Sequence, residues 1–446
     1  MRPETFGASH VILRTAVLLV LLLSAASTAS TDALPRRAVL GAAVSDADGG
    51  ARIDRVLPAS PAERAALKPG DIVLSIADAP VAGSAAFVAT VKAQRAATPL
   101  VFAIRRDGAP MTISVTLDPA PVEHDPAAQT LYESVAVDGS LRRTLVTLPV
   151  HAQGRLPAVL IIGGIGCYTV DNPSATDDGY LRLAHDLAHR GVAVMRLEKS
   201  GVGDSKGPPC IGVDLDHEMK SYAVALAALR RHAHVDADRV YLFGHSIGTL
   251  IAPRLAATGG AAGVIVAEGV GRNWIEYELA NLRRQLELAG EAPAAVDAKL
   301  AQKEVCMHRL LIERTPESEI EKTEPFCKEH NAYPAAEAYM QQAAALNIAE
   351  PWIAFDKPVL VIYGTADFIT AEDDHHRIAA IVNEHRPGLA DLKLIAGMDH
   401  YLQAGGTEQQ DFDMRVKQSK SGPYDADLSA AVLGWLCRRE RCRAAE

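Results

Sequence analysis

From residue 131 onward, short apolar runs of strand character alternate with segments of helical periodicity. That alternation confines the chain to a mostly parallel sheet with helices on both faces. The strand runs are Leu145–Val150, Ala158–Ile162, Val192–Leu197, Val240–Phe243, Val264–Ala267, Val359–Tyr363 and Leu392–Ile395. Helical patterns fall at Leu181–Arg190, Leu215–Ala233, Ile247–Ala257, Ala371–Glu384 and Leu428–Arg438. Between Gly271 and Phe355 the alternation stops, and Leu279, Leu282, Leu286 and Leu288 recur at helical spacing. This stretch reads as a helical cap, at about 271–355, inserted over the C-terminal edge of the sheet. With 446 residues, 48% of them hydrophobic, the chain has material for this core and for a further domain.

The first 130 residues are organised differently. Arg2 and Arg14 flank the start of an apolar run, Thr15–Leu23, followed by small residues to Ser30. The run is too short for an ordinary spanning helix, so residues 1–29 read as an export signal, with an uncleaved anchor as the alternative. Residues 38–118 form a compact unit of short strands around two helices. Ser60 caps the first helix, Pro61 suits its first position and Glu63 completes a capping box. The stretch "SPAERAALKPGDIVLSIADAPV" resembles the central signature of a PDZ domain as found in bacterial exported proteins. The resemblance implies that Leu40-Gly41-Ala42 holds the C-terminal carboxylate of a peptide on clustered backbone N–H groups. The other reading is a degenerate PDZ fold serving as a spacer. Residues 119–130, rich in Pro and Ala, read as a linker to a domain at 131–446.

Two stretches match G-x-S-x-G: Gly203-Asp204-Ser205-Lys206-Gly207 and Gly244-His245-Ser246-Ile247-Gly248. A nucleophile elbow requires a strand running into the turn and a helix leaving it. Around Ser246 both are present, Val240–Phe243 before and Ile247–Ala252 after. Around Ser205 both fail, because a polar turn precedes it and Pro208-Pro209 follows. Ser246 is therefore the expected nucleophile and Ser205 a loop residue.

A serine hydroxyl needs a base, and the base needs an orienting carboxylate. Asp367 follows the strand Val359–Tyr363, and His400 follows the next strand, so both are expected beside Ser246 at the C-terminal ends of the strands. Asp399 and Glu268 are the other candidate acids. The run Asp373-Asp374-His375-His376 suits a solvated first helical turn better than a metal site. His185, His189, His232 and His234 read as surface residues. The oxyanion is expected on the N–H of Ile247 and on a second donor from Gly163–Tyr168.

Strand order, elbow, acid, base and glycine-rich loop together resemble an α/β-hydrolase over about 310 residues. Members of that family usually carry His-Gly where this chain has Gly163-Gly164, which leaves the second oxyanion donor open between Gly164 and Ile165. "EKSGVGDS" is similar to a polar loop of many members. The resemblance implies an α/β-hydrolase fold behind a mainly-β PDZ domain, and carboxylic-ester hydrolysis through an acyl-enzyme. A peptidase similar to the prolyl-oligopeptidase family, a thioesterase or amidase, and a non-enzymatic binding protein are the alternatives.

A net charge of -10 excludes no fold but gives no basic patch for nucleic acid. The expected partners are a small-molecule or acyl-ester substrate and a protein C-terminus at the PDZ unit, with a membrane only if the signal is retained. Neither a cofactor nor a metal is called for. Of six cysteines, Cys167 and Cys210 lie on loops leaving consecutive strands and are expected to pair. Cys306 with Cys327 and Cys437 with Cys442 are further candidate pairs. Export and disulfides imply a periplasmic or secreted protein.

Overall fold

The computed structural model describes residues 34–94 and 96–440. The expected export signal, 1–29, and Cys442 lie outside the described residues.

The larger sheet has eight strands, in the spatial order Ala390–Ile395, Val359–Gly364, Gly263–Ala267, Val235–His245, Leu156–Ile162, Ala193–Leu197, Ser140–Pro149 and Ala128–Val137. The first six run parallel, and the last two join antiparallel at one edge. Alternation along one strand builds both faces. Ala158, Leu160 and Ile162 face one apolar cluster while Val159 and Ile161 face the other. The first face packs on the helices Leu215–Arg231, Gly248–Gly259 and Glu372–His385, the second on Gly179–His189 and Ala426–Cys437. Polar caps start several of these helices: Asp178 accepts from Tyr180 and Leu181 N–H, and Asp214 from His217 N–H. The stretch 271–355 forms six α-helices, from Trp274–Leu288 to Ala349–Ala354, and contains the bonded pair Cys306–Cys327.

The PDZ unit is a separate sheet, Ala42–Ala47, Gly50–Val56, Ile72–Ile76, Pro99–Arg106 and Ala109–Thr116, with its own apolar core. On its second helix, Ser84–Ala93, Phe87 and Val91 face that core whereas Val88 is exposed. Strand Ala42–Ala47 is an edge strand, and Leu40-Gly41-Ala42 leads into it.

Two expectations are revised. The stretch 119–130 is not a free linker: Ala128 opens the edge strand, and Glu123 is buried against Arg196 at 2.6 and 2.9 Å. Burial works against the Glu123 charge, but Arg196 outweighs it and holds the carboxyl down to about 2. His185, read as a surface residue, is buried between Glu123 and Asp125, each 3.5 Å away.

The chain enters and leaves the PDZ unit side by side. Ala38 and Val39 pair antiparallel with Pro119 and Asp118, and Ala120 N–H donates to Arg37 O at 2.8 Å. On the domain side of this junction, Arg36 reaches Asp171 and Asp204 at 2.5 Å, and Arg37 reaches Asp171 at 2.9 Å.

Candidate active site

The strand Val235–His245 drives into a tight turn from which the helix Gly248–Gly259 departs. Ser246 at the apex has φ of 55°, a conformation most side chains avoid. The flanking glycines permit it by close approach. A Cβ on Gly248 would lie 2.3 Å from Ile162 O, and one on Gly244 would lie 2.5 Å from Gly248 O.

Three side chains from separate loops meet at this apex. His400 Nε2 is 3.1 Å from Ser246 Oγ, and His400 Nδ1 is 2.9 Å from Asp367 Oδ2. Asp367 is fully buried and also accepts from Ile369 N–H at 2.6 Å, Thr370 N–H at 3.0 Å and the Thr370 hydroxyl. Burial alone would raise its pKa, but His400 and these donors hold the carboxyl far below the usual range.

Neither alternative acid hydrogen-bonds His400: Asp399 is engaged elsewhere, and Glu268 lies against Asp367. Asp399 accepts from Tyr401 and Gln403 N–H, both at 2.8 Å, and pairs with Arg415. Glu268 is fully buried, with φ of 49°, and accepts from Gly364 N–H at 2.7 Å. Burial and the neighbouring Asp367 charge push its carboxyl well up. In the Asp373–His376 run, only part is a solvated turn. Asp374 and His375 are buried and accept from Gly271 and Gly269 N–H, at 3.1 and 2.8 Å. They pin the chain where it leaves the sheet for the helical insertion. Among the described residues no His, Cys, Asp and Glu group is arranged to hold a metal.

His245, the variable residue of the elbow motif, has a position that the sequence did not reveal. It is buried, with Nε2 2.7 Å from His400 O and Nδ1 2.6 Å from Tyr180 Oη. A carbonyl only accepts, so Nε2 carries the proton and Nδ1 accepts from Tyr180. Burial and nearby His400 lower the His245 pKa to about 3, so the ring stays neutral. Tyr180 Oη in turn accepts from Gly164 N–H at 3.0 Å. One directed chain of hydrogen bonds thus runs from Gly164 through Tyr180 and His245 to the His400 backbone.

This chain bears on the glycine-rich loop after Leu156–Ile162. The N–H of Gly163 is taken by Tyr222 Oη at 3.2 Å and that of Gly164 by Tyr180. Among the described residues, nothing accepts a hydrogen bond from the N–H of Ile165 or Ile247. Both residues line the cavity beside Ser246. The loop is tied down by the Cys167–Cys210 bond and by Lys199 Nζ, 2.7 Å from Gly164 O. The cavity measures about 680 Å³, and Tyr168, Trp274, Tyr277, Tyr333 and Tyr401 line its walls.

Sequence comparison places this geometry in context. Residues 176–404, which include Ser246, Asp367 and His400, match the serine aminopeptidase S33 family, and residues 38–117 match the PDZ domain family. Esterase EstD of Thermotoga maritima is 26% identical over 121 residues, 27% of this chain and 28% of EstD. A probable periplasmic serine endoprotease, DegP-like, of Marinomonas is 42% identical over 84 residues, 19% of this chain and 18% of that protein. The chain thus spans well under a third of either relative's length. Among solved structures, Est1E from Butyrivibrio proteoclasticus is 14% identical, with a TM-score of 0.43, over 69% of this chain and 98% of Est1E. An esterase from Pyrococcus furiosus is 13% identical, with a TM-score of 0.42, over 72% and 96%. The chain belongs to the serine aminopeptidase S33 family, a serine hydrolase of the α/β-hydrolase fold with a PDZ domain ahead of it.

Proposed function

We propose that the protein is an exported esterase that cleaves carboxylic esters through an acyl-enzyme on Ser246. The observation that carries this reading is the unbroken Ser246–His400–Asp367 series opening into an aromatic-walled cavity. His400 Nε2 takes the Ser246 proton as Oγ attacks the ester carbonyl, and returns it to the departing alcohol. Asp367 fixes the His400 tautomer and stabilises the imidazolium that forms. The oxyanion rests on the N–H groups of Ile247 and Ile165. Gly164 is the weaker candidate because its N–H already bonds Tyr180. Water then repeats the sequence on the acyl-enzyme, with His400 again as base.

Wild-type protein should turn over a short-chain nitrophenyl ester and take up a fluorophosphonate on Ser246. Faster cleavage of peptide amides than of esters would overturn the esterase reading in favour of a peptidase, the reading that the family's description favours.

Export is supported by the apolar N-terminal run and by the Cys167–Cys210 and Cys306–Cys327 disulfide bonds, a kind of bond that persists in oxidising compartments. No described helix is long and apolar enough to cross a membrane. The PDZ unit is read as a module that captures a protein C-terminus at Leu40-Gly41-Ala42 and the adjoining edge strand. Replacing residues 38–119 by a short loop, with Arg36 and Arg37 kept, should leave small-ester turnover within roughly threefold of wild type. Loss of that turnover in a folded variant would make the unit part of the active site.

A further inference from the structure

The carbonyl of Gly164 and the N–H of Ile165 belong to one peptide group. Its carbonyl side is crowded with donors: Lys199 Nζ at 2.7 Å and Tyr168 Oη at 3.0 Å. Its N–H side has no acceptor among the described residues, and Ile165 lines the cavity beside Ser246. The loop approaches so closely that a Cβ on Gly164 would stand 3.3 Å from Ser246 Cβ. Lys199 itself is buried, with Glu218 3.1 Å from its nitrogen. A cation deep in the fold, aimed at one particular carbonyl, is a costly arrangement that packing alone does not require.

We propose that Lys199 is a positioning residue that acts through this peptide: its charge polarises the Gly164–Ile165 amide and makes the Ile165 N–H a stronger donor to the oxyanion. An amide whose oxygen accepts a charge-assisted hydrogen bond carries more positive charge on its N–H, because successive hydrogen bonds polarise one another. The effect matters most when the substrate carbonyl has become an alkoxide, so it lowers the barrier more than it strengthens substrate binding. Tyr168 adds a second donor to the same oxygen, and the Cys167–Cys210 bond holds the loop's far end against the segment that follows Lys199. Lys199 acts without touching the substrate. The inference rests on the reading of Ser246 as nucleophile.

The test measures steady-state hydrolysis of a short-chain nitrophenyl ester together with inhibition by a trifluoromethyl ketone, whose adduct with Ser246 presents an oxyanion. Lys199→Met should lower kcat about tenfold, less than the loss from removing a direct oxyanion donor. KM should stay within about twofold, and the ketone should bind about tenfold more weakly, in step with kcat/KM. Lys199→Arg keeps a cation and should recover most of the loss. Because Lys199→Met leaves Glu218 buried without its partner, Lys199→Met/Glu218→Gln serves as the second variant and should show the same loss. Wild-type kcat in the folded double variant, or a rise in KM with unchanged ketone affinity, overturns the inference. Failure of the nucleophile reading looks different: the wild-type protein would then carry no fluorophosphonate on Ser246.

Discussion

Ser205 and Ser246 occupy the same five-residue pattern, a serine between two glycines, and the fold uses them in opposite ways. The Ser205 hydroxyl is consumed internally. It donates to Glu198 O at 3.0 Å and accepts from Arg143 N–H at 2.9 Å, joining the Glu198–Ser205 loop to a neighbouring strand. Ser246 sits at φ of 55° with its hydroxyl turned to His400 and the cavity. The glycines supply a tight turn in both places. What differs is the flanking chain. A strand running straight into the turn and a helix leaving it lift the Ser246 hydroxyl clear of the backbone, whereas a loop folded back on itself encloses Ser205. The pattern marks where a turn is possible; the flanking elements decide whether the hydroxyl is left available.

Substitutions can break this contrast. The largest effect belongs to Ser246→Ala, which should lower kcat by roughly four to six orders of magnitude. Turnover of the nitrophenyl ester, read against a buffer blank, checks it, and residual activity within tenfold of wild type would remove Ser246 from the mechanism. Next comes the acid. Asp367→Asn should cost about three to four orders of magnitude in kcat, because the amide favours the wrong His400 tautomer. Glu268→Gln should cost less than about tenfold, since Glu268 does not contact His400; the reverse order would make Glu268 the acid.

Ser205→Ala should act on stability alone. It removes the hydroxyl's bonds to Arg143 N–H and Glu198 O and should cost about 1–3 kcal/mol in urea unfolding, with kcat within about threefold of wild type. Large loss of turnover in a stable variant would erase the contrast between the two serines.

The smallest effect concerns the support beneath His400, which has no counterpart at Ser205. Asp411 lies beside Asp399, with Arg415 3.0 Å from Asp411 and 2.8 Å from Asp399. Burial and the Asp399 charge push the Asp411 carboxyl up to about 7. Its folded value exceeds the unfolded one of about 4, so the folded state is favoured by the proton. That contribution is full below about 4 and lost as pH rises through about 7. Urea midpoints should therefore fall between pH 5 and 8 by more in wild type than in Asp411→Asn. Parallel curves would show that Asp411 does not gain a proton on folding.

The parallel sheet was legible, and with it the candidate triad, because the candidate residues sit at the ends of apolar strands. Val240–Phe243, Val359–Tyr363 and Leu392–Ile395 announce themselves by composition, and Ser246, Asp367 and His400 follow directly. The edge strand Ala128–Val137 was hidden, because its first residues share the Pro/Ala character of the segment before it and one of its faces is only half covered. Buried charges were equally opaque. Arg196 lies inside an apolar run, and its partner Glu123 is 73 residues away in sequence. His245, Tyr180 and Lys199 escaped for the same reason: each bonds a backbone group on a distant loop, and sequence spacing carries no trace of such pairs. Which N–H groups of the glycine-rich loop are already taken likewise depends on Tyr180 and Tyr222, distant in sequence.

The junction at Ala38 and Pro119 has a consequence for how such a chain is assembled over evolutionary time. The polypeptide enters and leaves the PDZ unit side by side, with Ala120 bonded back to Arg37, and the salt bridges of Arg36 and Arg37 lie on the host side of that doorway. The two ends of the unit therefore meet side by side, so a segment joining them in its place has only a short distance to span. An insertion whose ends meet in this way can change in length or sequence with little demand on the path of the chain around it.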